Sequence, residues 1–156
     1  MAGRDNRQSI SLRRVRGSSY SSYLLLSIYR NRYRRKFFLP IEIIHFSLFD
    51  NEIKTISRLK NSNPTVAWDR LFFSAKEAVY KAISYAENTA IPFTDIEISL
   101  LPIRKFRLKS IRSSYGTPVN GPIPSVTGEW RILQDKEHRK QFILTTACMH
   151  NNSQTA

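Results

Sequence analysis

The chain has 156 residues, of which 41% are hydrophobic and 12% aromatic, a length and composition that fit one globular domain and exclude a wholly disordered chain. Its net charge of +13 is uneven, because residues 1–40 hold ten bases and one acid whereas residues 41–156 hold fifteen bases and eleven acids. The single cysteine, Cys148, excludes an internal disulfide and favours a reducing compartment such as the cytoplasm. No apolar window is long enough for a membrane-spanning helix.

Residues 1–38 form a leader that is rich in Arg, Ser and Tyr and carries most of the excess positive charge. We favour a disordered basic tail for this segment. Two alternatives stay open: an organelle transit peptide, because the segment is nearly free of acids, and a nucleic-acid-binding arm, because Tyr can stack on bases while Arg contacts phosphates. The last alternative would make the chain a basic nucleic-acid-binding protein.

From residue 39 the composition becomes globular, and we predict one domain over residues 39–150, followed by a polar tail at 151–156. Asp50 is expected to cap a short helix through Lys60, with Ile53, Ile56 and Leu59 facing inward. The stretch at 60–64 (KNSNP) is a helix breaker.

A long helix is predicted from Trp68 to Ala82, with Thr65 as its N-cap and with Asn88 and Pro92 bounding its far end. Its apolar residues recur at spacings of three and four: Leu71, Phe72, Ala75, Ala78, Val79, Ala82 and Ala86. On the opposite face Glu77 and Lys81 stand four residues apart, with Lys76 at the border. Such a pair is common on solvated helices and is worth only about 0.2–0.5 kcal/mol, so it does not by itself indicate a site.

Four strands follow, in which apolar and polar residues alternate. They are expected at 93–100, 105–109, 129–132 and 142–149, and the short turns between most of them imply antiparallel pairing. A Gly/Pro-rich loop is expected at 113–126. The predicted fold is therefore α+β, with a long helix packed on a small antiparallel sheet.

The run FSAKEAVYKA resembles the signature helix of the 4'-phosphopantetheinyl transferases, in which an aromatic residue precedes a K-E-A/S triplet and a further lysine. Phe73, Lys76, Glu77, Ala78 and Lys81 occupy the positions of that signature. The next segment, FTDIEISL at 93–100, resembles the F-x-D-x-E-V strand that follows the helix in the same family. The match covers about residues 39–150, close to the C-terminal half of the larger, enterobactin-synthetase-type members.

This resemblance implies a phosphopantetheinyl-transferase-like half-domain that moves the 4'-phosphopantetheine arm of coenzyme A onto a serine of an acyl- or peptidyl-carrier protein. Such holo-carrier-protein synthases act with Mg²⁺ in fatty acid, polyketide or nonribosomal peptide biosynthesis. By the family match Glu77 is a metal ligand and a catalytic residue, Lys81 is catalytic and binds the phosphates of coenzyme A, and Lys76 also contacts coenzyme A. Single-half members of the family place their site between two copies, so self-association is a further expectation.

One family element is not found. The family's G-x-D-x-E metal motif should fall near residues 31–35, which offer no carboxylate. Glu42, Asp50 or Glu52 could take its place if the fold brought one of them near Glu77. A third interpretation is therefore a truncated or non-catalytic relic that binds coenzyme A or a carrier protein.

Overall fold

The computed structural model describes residues 12–17, 20–25, 41–87, 91–112, 123–135 and 140–150. These residues form three α-helices, a short 3-10 helix and a sheet of six strands. The fold is α+β, as predicted. Among the described residues, no helix is both long and apolar enough to cross a membrane.

The helices precede most of the sheet in the chain. Helix α1 spans Ile41–Ser47, α2 spans Asp50–Ser62, and α3 spans Trp68–Glu87. A 3-10 turn, Phe93–Asp95, then leads into the strands. Helix α3 is rich in alanine, the residue with the highest helix propensity, and this composition supports its length of 20 residues.

The strands are β1 (Leu12–Gly17), β2 (Tyr20–Leu25), β3 (Ile96–Leu101), β4 (Lys105–Ile111), β5 (Ser125–Asp135) and β6 (Lys140–His150). Their order across the sheet is β1-β2-β6-β5-β4-β3, and every neighbouring pair is antiparallel. Strands β5 and β6 pair over their whole length of 11 residues each and form the centre of the sheet.

The core lies between α3 and one face of the sheet. The predicted apolar stripe of the helix is confirmed over Leu71, Phe72, Ala75, Ala78, Val79 and Ala82, which are all at most 1% exposed. Facing side chains come from alternate positions of the strands: Ile96, Ile98, Phe106, Leu108, Val126, Ile143, Ala147 and Met149. Full burial of one large aliphatic or aromatic side chain stabilises the fold by about 1.5–3 kcal/mol, so this contact fixes α3 on the sheet.

Gly128 lets an aromatic ring lie directly on the backbone of β5. The glycine pairs with Phe106 on β4, whose side chain is fully buried. A Cβ atom added to Gly128 would lie 2.2 Å from Phe106 Cζ and 2.3 Å from the carbonyl oxygen of Thr146. The glycine is therefore required by packing.

Glu97 is a buried carboxylate on β3 that collects hydrogen bonds from β4. Lys109 Nζ donates to it at 2.7 Å and Ser110 Oγ at 2.8 Å. Burial raises the pKa of Glu97, but the hydrogen bonds and charge of Lys109, with Ser110, outweigh this effect and hold the pKa below its ordinary value of 4.5. Glu97 is a polar position of a strand in which apolar and polar residues alternate, and these partners allow its carboxylate to be buried.

Several boundaries differ from the prediction. Helix α1 was not predicted, and α2 begins at Asp50 rather than being capped by it, because Phe49 is its N-cap. Helix α3 begins three residues after Thr65, the predicted cap. The predicted strand at 93–100 starts with the 3-10 turn, so β3 begins only at Ile96.

The leader also differs from the expectation of a disordered tail, because it contains β1 and β2. Strand β2 pairs with β6 through Ser21, Ser22 and Tyr23 opposite Met149, Cys148 and Ala147. Strand pairing uses backbone groups, which every residue except proline offers, so composition alone did not indicate it. The rest of the leader, most of the predicted loop at 113–126 and the polar tail lie outside the described residues.

Candidate active site on helix α3

Helix α3 presents one partly exposed stripe along residues 68–84. Within that range every side chain is buried except those of Arg70, Phe73, Glu77, Tyr80, Lys81 and Ser84. These residues recur at spacings of three and four, so they share the face that points away from the sheet. A ligand that approaches this part of the helix meets this stripe.

Glu77 and Lys81 carry the charge at the middle of the stripe. Lys81 Nζ lies 2.8 Å from Glu77 Oε1, and the two side chains are 17% and 25% exposed. The predicted contact on one helix face is therefore present. An ion pair between residues four apart on a helix contributes about 0.3–0.5 kcal/mol to stability, so little is lost when a ligand separates its partners.

Aromatic rings border the two charged groups on one side. The ring of Phe93 lies 5.2 Å from the ring of Phe73 and 6.1 Å from that of Tyr80. One turn beyond Lys81, the Ser84 hydroxyl is buried and makes no hydrogen bond within the described part of the chain. The stripe therefore combines an acid and an amine with an apolar wall, whereas the Ser84 hydroxyl is buried.

Lys76, the third predicted site residue, lies elsewhere. Its side chain is fully buried, and its Nζ contacts Glu52 Oε2 at 3.1 Å and donates a hydrogen bond to the Ser47 carbonyl oxygen. Burial lowers the pKa of the Lys76 amine below its ordinary value of 10.5, and the Glu52 carboxylate opposes this effect. The amine is therefore enclosed and does not belong to the partly exposed stripe.

The structure also locates Glu52, which was considered as a substitute for the missing metal carboxylate. Its Oε2 accepts the backbone N–H of Phe49 at 2.8 Å as well as Lys76, and its Oε1 accepts the backbone N–H of Ile98 at 2.9 Å. With these bonds made and only 2% of its side chain exposed, Glu52 is not available to a metal. Sequence reasoning missed this role, although a glutamate three residues after an N-cap is a local signal for it.

Over the described ranges, no group of three or more His, Cys, Asp or Glu side chains could hold a metal ion. Glu77 is the acid on the exposed stripe of α3. Mg²⁺ bound with a phosphate substrate needs only one or two protein carboxylates, since phosphate oxygens and waters complete its shell. Glu77 therefore fits a magnesium ion that arrives together with a phosphorylated ligand.

Comparison with known proteins identifies the family of the chain. Residues 28–144 match the sequence profile of the 4'-phosphopantetheinyl transferase superfamily, a range that includes all three helices and the paired signature residues on α3. No curated protein and no solved structure is significantly similar to the chain. The match spans about three quarters of the sequence, and the chain therefore belongs to the 4'-phosphopantetheinyl transferase superfamily.

Proposed function

We propose that the chain transfers the 4'-phosphopantetheine arm of coenzyme A to a serine of an acyl- or peptidyl-carrier protein in the presence of Mg²⁺. The observation that carries this proposal is the pair of Glu77 and Lys81, which lies on the exposed stripe of α3 in a chain of the transferase superfamily. Membership of the family supports transfer of the arm in general. We further propose that the acceptor is a carrier protein, that the metal is Mg²⁺, and that Glu77 and Lys81 have the roles described below.

In this reaction the serine Oγ forms a bond to the phosphorus that carries the pantetheine arm. The bond from that phosphorus to the bridging diphosphate oxygen breaks, and adenosine 3',5'-bisphosphate leaves with the electron pair. The serine proton passes to a base. Because phosphoryl transfer involves little covalent chemistry on the protein, its residues act by holding the diphosphate and by balancing its charge.

Glu77 is proposed to hold the metal on the diphosphate. Bound Mg²⁺ supplies charge neutralisation on the phosphate oxygens. A carboxylate that is one-quarter exposed can exchange its contact with Lys81 for a metal without leaving a buried charge. Since one carboxylate alone binds Mg²⁺ weakly, the ion and coenzyme A should bind together.

Lys81 is proposed to contact the phosphates from one turn further along the helix. Released from Glu77, its ammonium group offers three donors to phosphate oxygens. The serine proton is proposed to pass either to Glu77 through a water molecule or to Lys81, which can accept it only as the neutral amine. The aromatic wall formed by Phe73, Tyr80 and Phe93 offers apolar contact beside these charges.

The test is direct. The whole chain is incubated with coenzyme A, Mg²⁺ and an apo-carrier protein, and the carrier is analysed by mass spectrometry. We expect the mass of one phosphopantetheine arm to be added, and a carrier with its serine changed to alanine should gain nothing. A folded chain that adds no mass to any of several acyl and peptidyl carriers would contradict the proposal.

The non-catalytic relic gives a different result in a parallel measurement. Isothermal titration of the chain with coenzyme A separates binding from turnover. Binding without mass gain on the carriers would identify a relic that retains the coenzyme A site. If the chain neither binds coenzyme A nor adds mass to a carrier, coenzyme A is not its substrate or its ligand.

A further inference from the structure

The residue just before Glu77 belongs to a buried ion pair that the proposed reaction does not use. Lys76 and Glu52 are 24 residues apart in the sequence, and their side chains are 0% and 2% exposed. The amine also lies 4.7 Å from the centre of the Phe49 ring. It therefore sits in a closed pocket of one carboxylate, one carbonyl and aromatic carbon.

Glu52 connects three separate elements through this contact. One oxygen accepts the N–H of Phe49 at the start of α2 and the ammonium of Lys76 on α3, while the other accepts the N–H of Ile98 on β3. The start of α2, one turn of α3 and one position of β3 are thus tied to a single carboxylate.

Stability alone does not account for such a pair. Removing two charges from water costs several kcal/mol per ion, and replacing both partners of a buried pair with apolar residues is often neutral or stabilising. The apolar face already holds α3 on the sheet, and the directional hydrogen bonds of the ion pair add a restraint on the rotation of the helix about its axis. Lys76 and Glu77 are adjacent in the sequence and about 100° apart around the axis of α3. A restraint on the position of Lys76 therefore also restrains the direction in which Glu77 leaves the helix.

We propose that Glu52 and Lys76 are positioning residues, which hold α3 at the rotation that presents Glu77 and Lys81 to the ligand, and that Lys76 does not contact coenzyme A. This inference rests on the proposed function. It replaces the role that the family resemblance implied for Lys76. Its two parts, shared positioning and no ligand contact, are tested separately.

The first experiment measures transfer by Glu52→Gln, by Lys76→Met and by the double variant. Loss of a group that orients a metal ligand typically costs about 10–100-fold in activity, so each single variant should lose kcat/KM by that factor. Because both changes break the same unit, the double variant should be no worse than the poorer single one. Losses that multiply in the double variant, or a loss confined to Lys76→Met, would overturn shared positioning.

Folding is checked in each variant by circular dichroism, because removing one partner of a buried pair can cost about 3–5 kcal/mol. The double variant leaves neither a buried cation nor a buried anion behind, so it should fold even where a single variant does not. In that case the comparison runs between the double variant and the parent, with a loss of about 10–100-fold expected. Parent-like activity in the folded double variant would overturn the inference.

The second experiment tests whether coenzyme A contacts Lys76 or Lys81, and it does not depend on a measurement of transfer activity. The parent chain is reductively methylated with and without coenzyme A and Mg²⁺, and each lysine is quantified by peptide mass spectrometry. Lys81 should react in the free chain and be protected by coenzyme A, while Lys76 should stay unmodified in both samples. A Lys76 that reacts in the folded chain and is protected by coenzyme A would overturn the inference, and a Lys81 that coenzyme A never protects would instead overturn the proposed function.

Discussion

The contact between Gly128 and Phe106 leads to a specific prediction for Gly128→Ala. The new methyl carbon would lie 2.2 and 2.4 Å from two atoms of the Phe106 ring, whereas carbon atoms pack best at about 3.5–4.0 Å. Adding a carbon to a filled core costs about 1–3 kcal/mol. We expect the upper end of that range, because the third close atom, the Thr146 carbonyl oxygen at 2.3 Å, belongs to the central strand β6 and cannot rotate away.

Replacing a glycine inside a strand also recovers about 0.5–1 kcal/mol of backbone entropy, so the net loss should be about 2 kcal/mol. Urea titration followed by circular dichroism measures it. If the free energy of unfolding falls by about 2 kcal/mol per M of urea, the urea concentration at the unfolding midpoint should be lower by about 1 M. Arg131→Ala, an exposed change on the same strand, should stay within about 0.5 kcal/mol of the parent. A midpoint for Gly128→Ala at or above that of the parent would refute the argument from the ring contact.

Three further predictions concern a turn, a carboxylate and the metal. Ile103 and Arg104 both have positive φ (59° and 57°) in the β3–β4 turn, which costs about 1–2 kcal/mol per non-glycine residue. The double change Ile103→Asn with Arg104→Gly should raise the free energy of unfolding by about 1–2 kcal/mol, because asparagine removes only part of the cost and the new glycine adds entropy to the unfolded chain. Ile103→Val should give no gain. A double variant less stable than the parent would contradict the cost assigned to these angles. Glu97, whose pKa is lowered in the folded chain, contributes stability that is present above pH 4.5 and lost as the pH falls through the lowered pKa. In the Glu97→Gln variant, the free energy of unfolding should therefore fall less steeply as the pH is lowered below 4.5. An unchanged slope would show that other groups cause the loss of stability in acid. Finally, calorimetry should detect Mg²⁺ binding only when coenzyme A is present, and tight Mg²⁺ binding without it would show that Glu77 is not the sole protein carboxylate at the metal.

Patterns with a fixed period were the most informative part of the sequence. The spacing of Leu71, Ala75 and Ala78 predicted both the long helix and its buried face, and alternation in β4 predicted which of its side chains are exposed. These predictions hold because the core needs one continuous apolar surface from each element. The position of Glu77 and Lys81 on the partly exposed face followed from the same helical period.

Features that depend on distant residues were not predictable in this way. The helical period places Lys76 between Phe72 and Val79 on the buried face, but it gives no partner for the buried amine. That partner, Glu52, lies on another helix and becomes a neighbour only after α2 and α3 pack together. Helix α1 was missed because a seven-residue apolar segment has too few turns to show a helical period. Strands β1 and β2 join the sheet through backbone pairing, and the Arg- and Ser-rich composition of the leader gave no signal for it.

The central claim is that Glu77 and Lys81 together handle the diphosphate of coenzyme A, and transfer kinetics of matched variants test it most directly. Initial rates of phosphopantetheine transfer are compared for the parent, Glu77→Gln, Lys81→Met and Glu129→Gln, the last being an exposed carboxylate on β5, away from helix α3. We predict a loss of at least about 100-fold for each change on α3, as for other groups that stabilise transition-state charge, and a parent-like rate for Glu129→Gln. Parent-like rates for Glu77→Gln and Lys81→Met in folded protein would contradict the account.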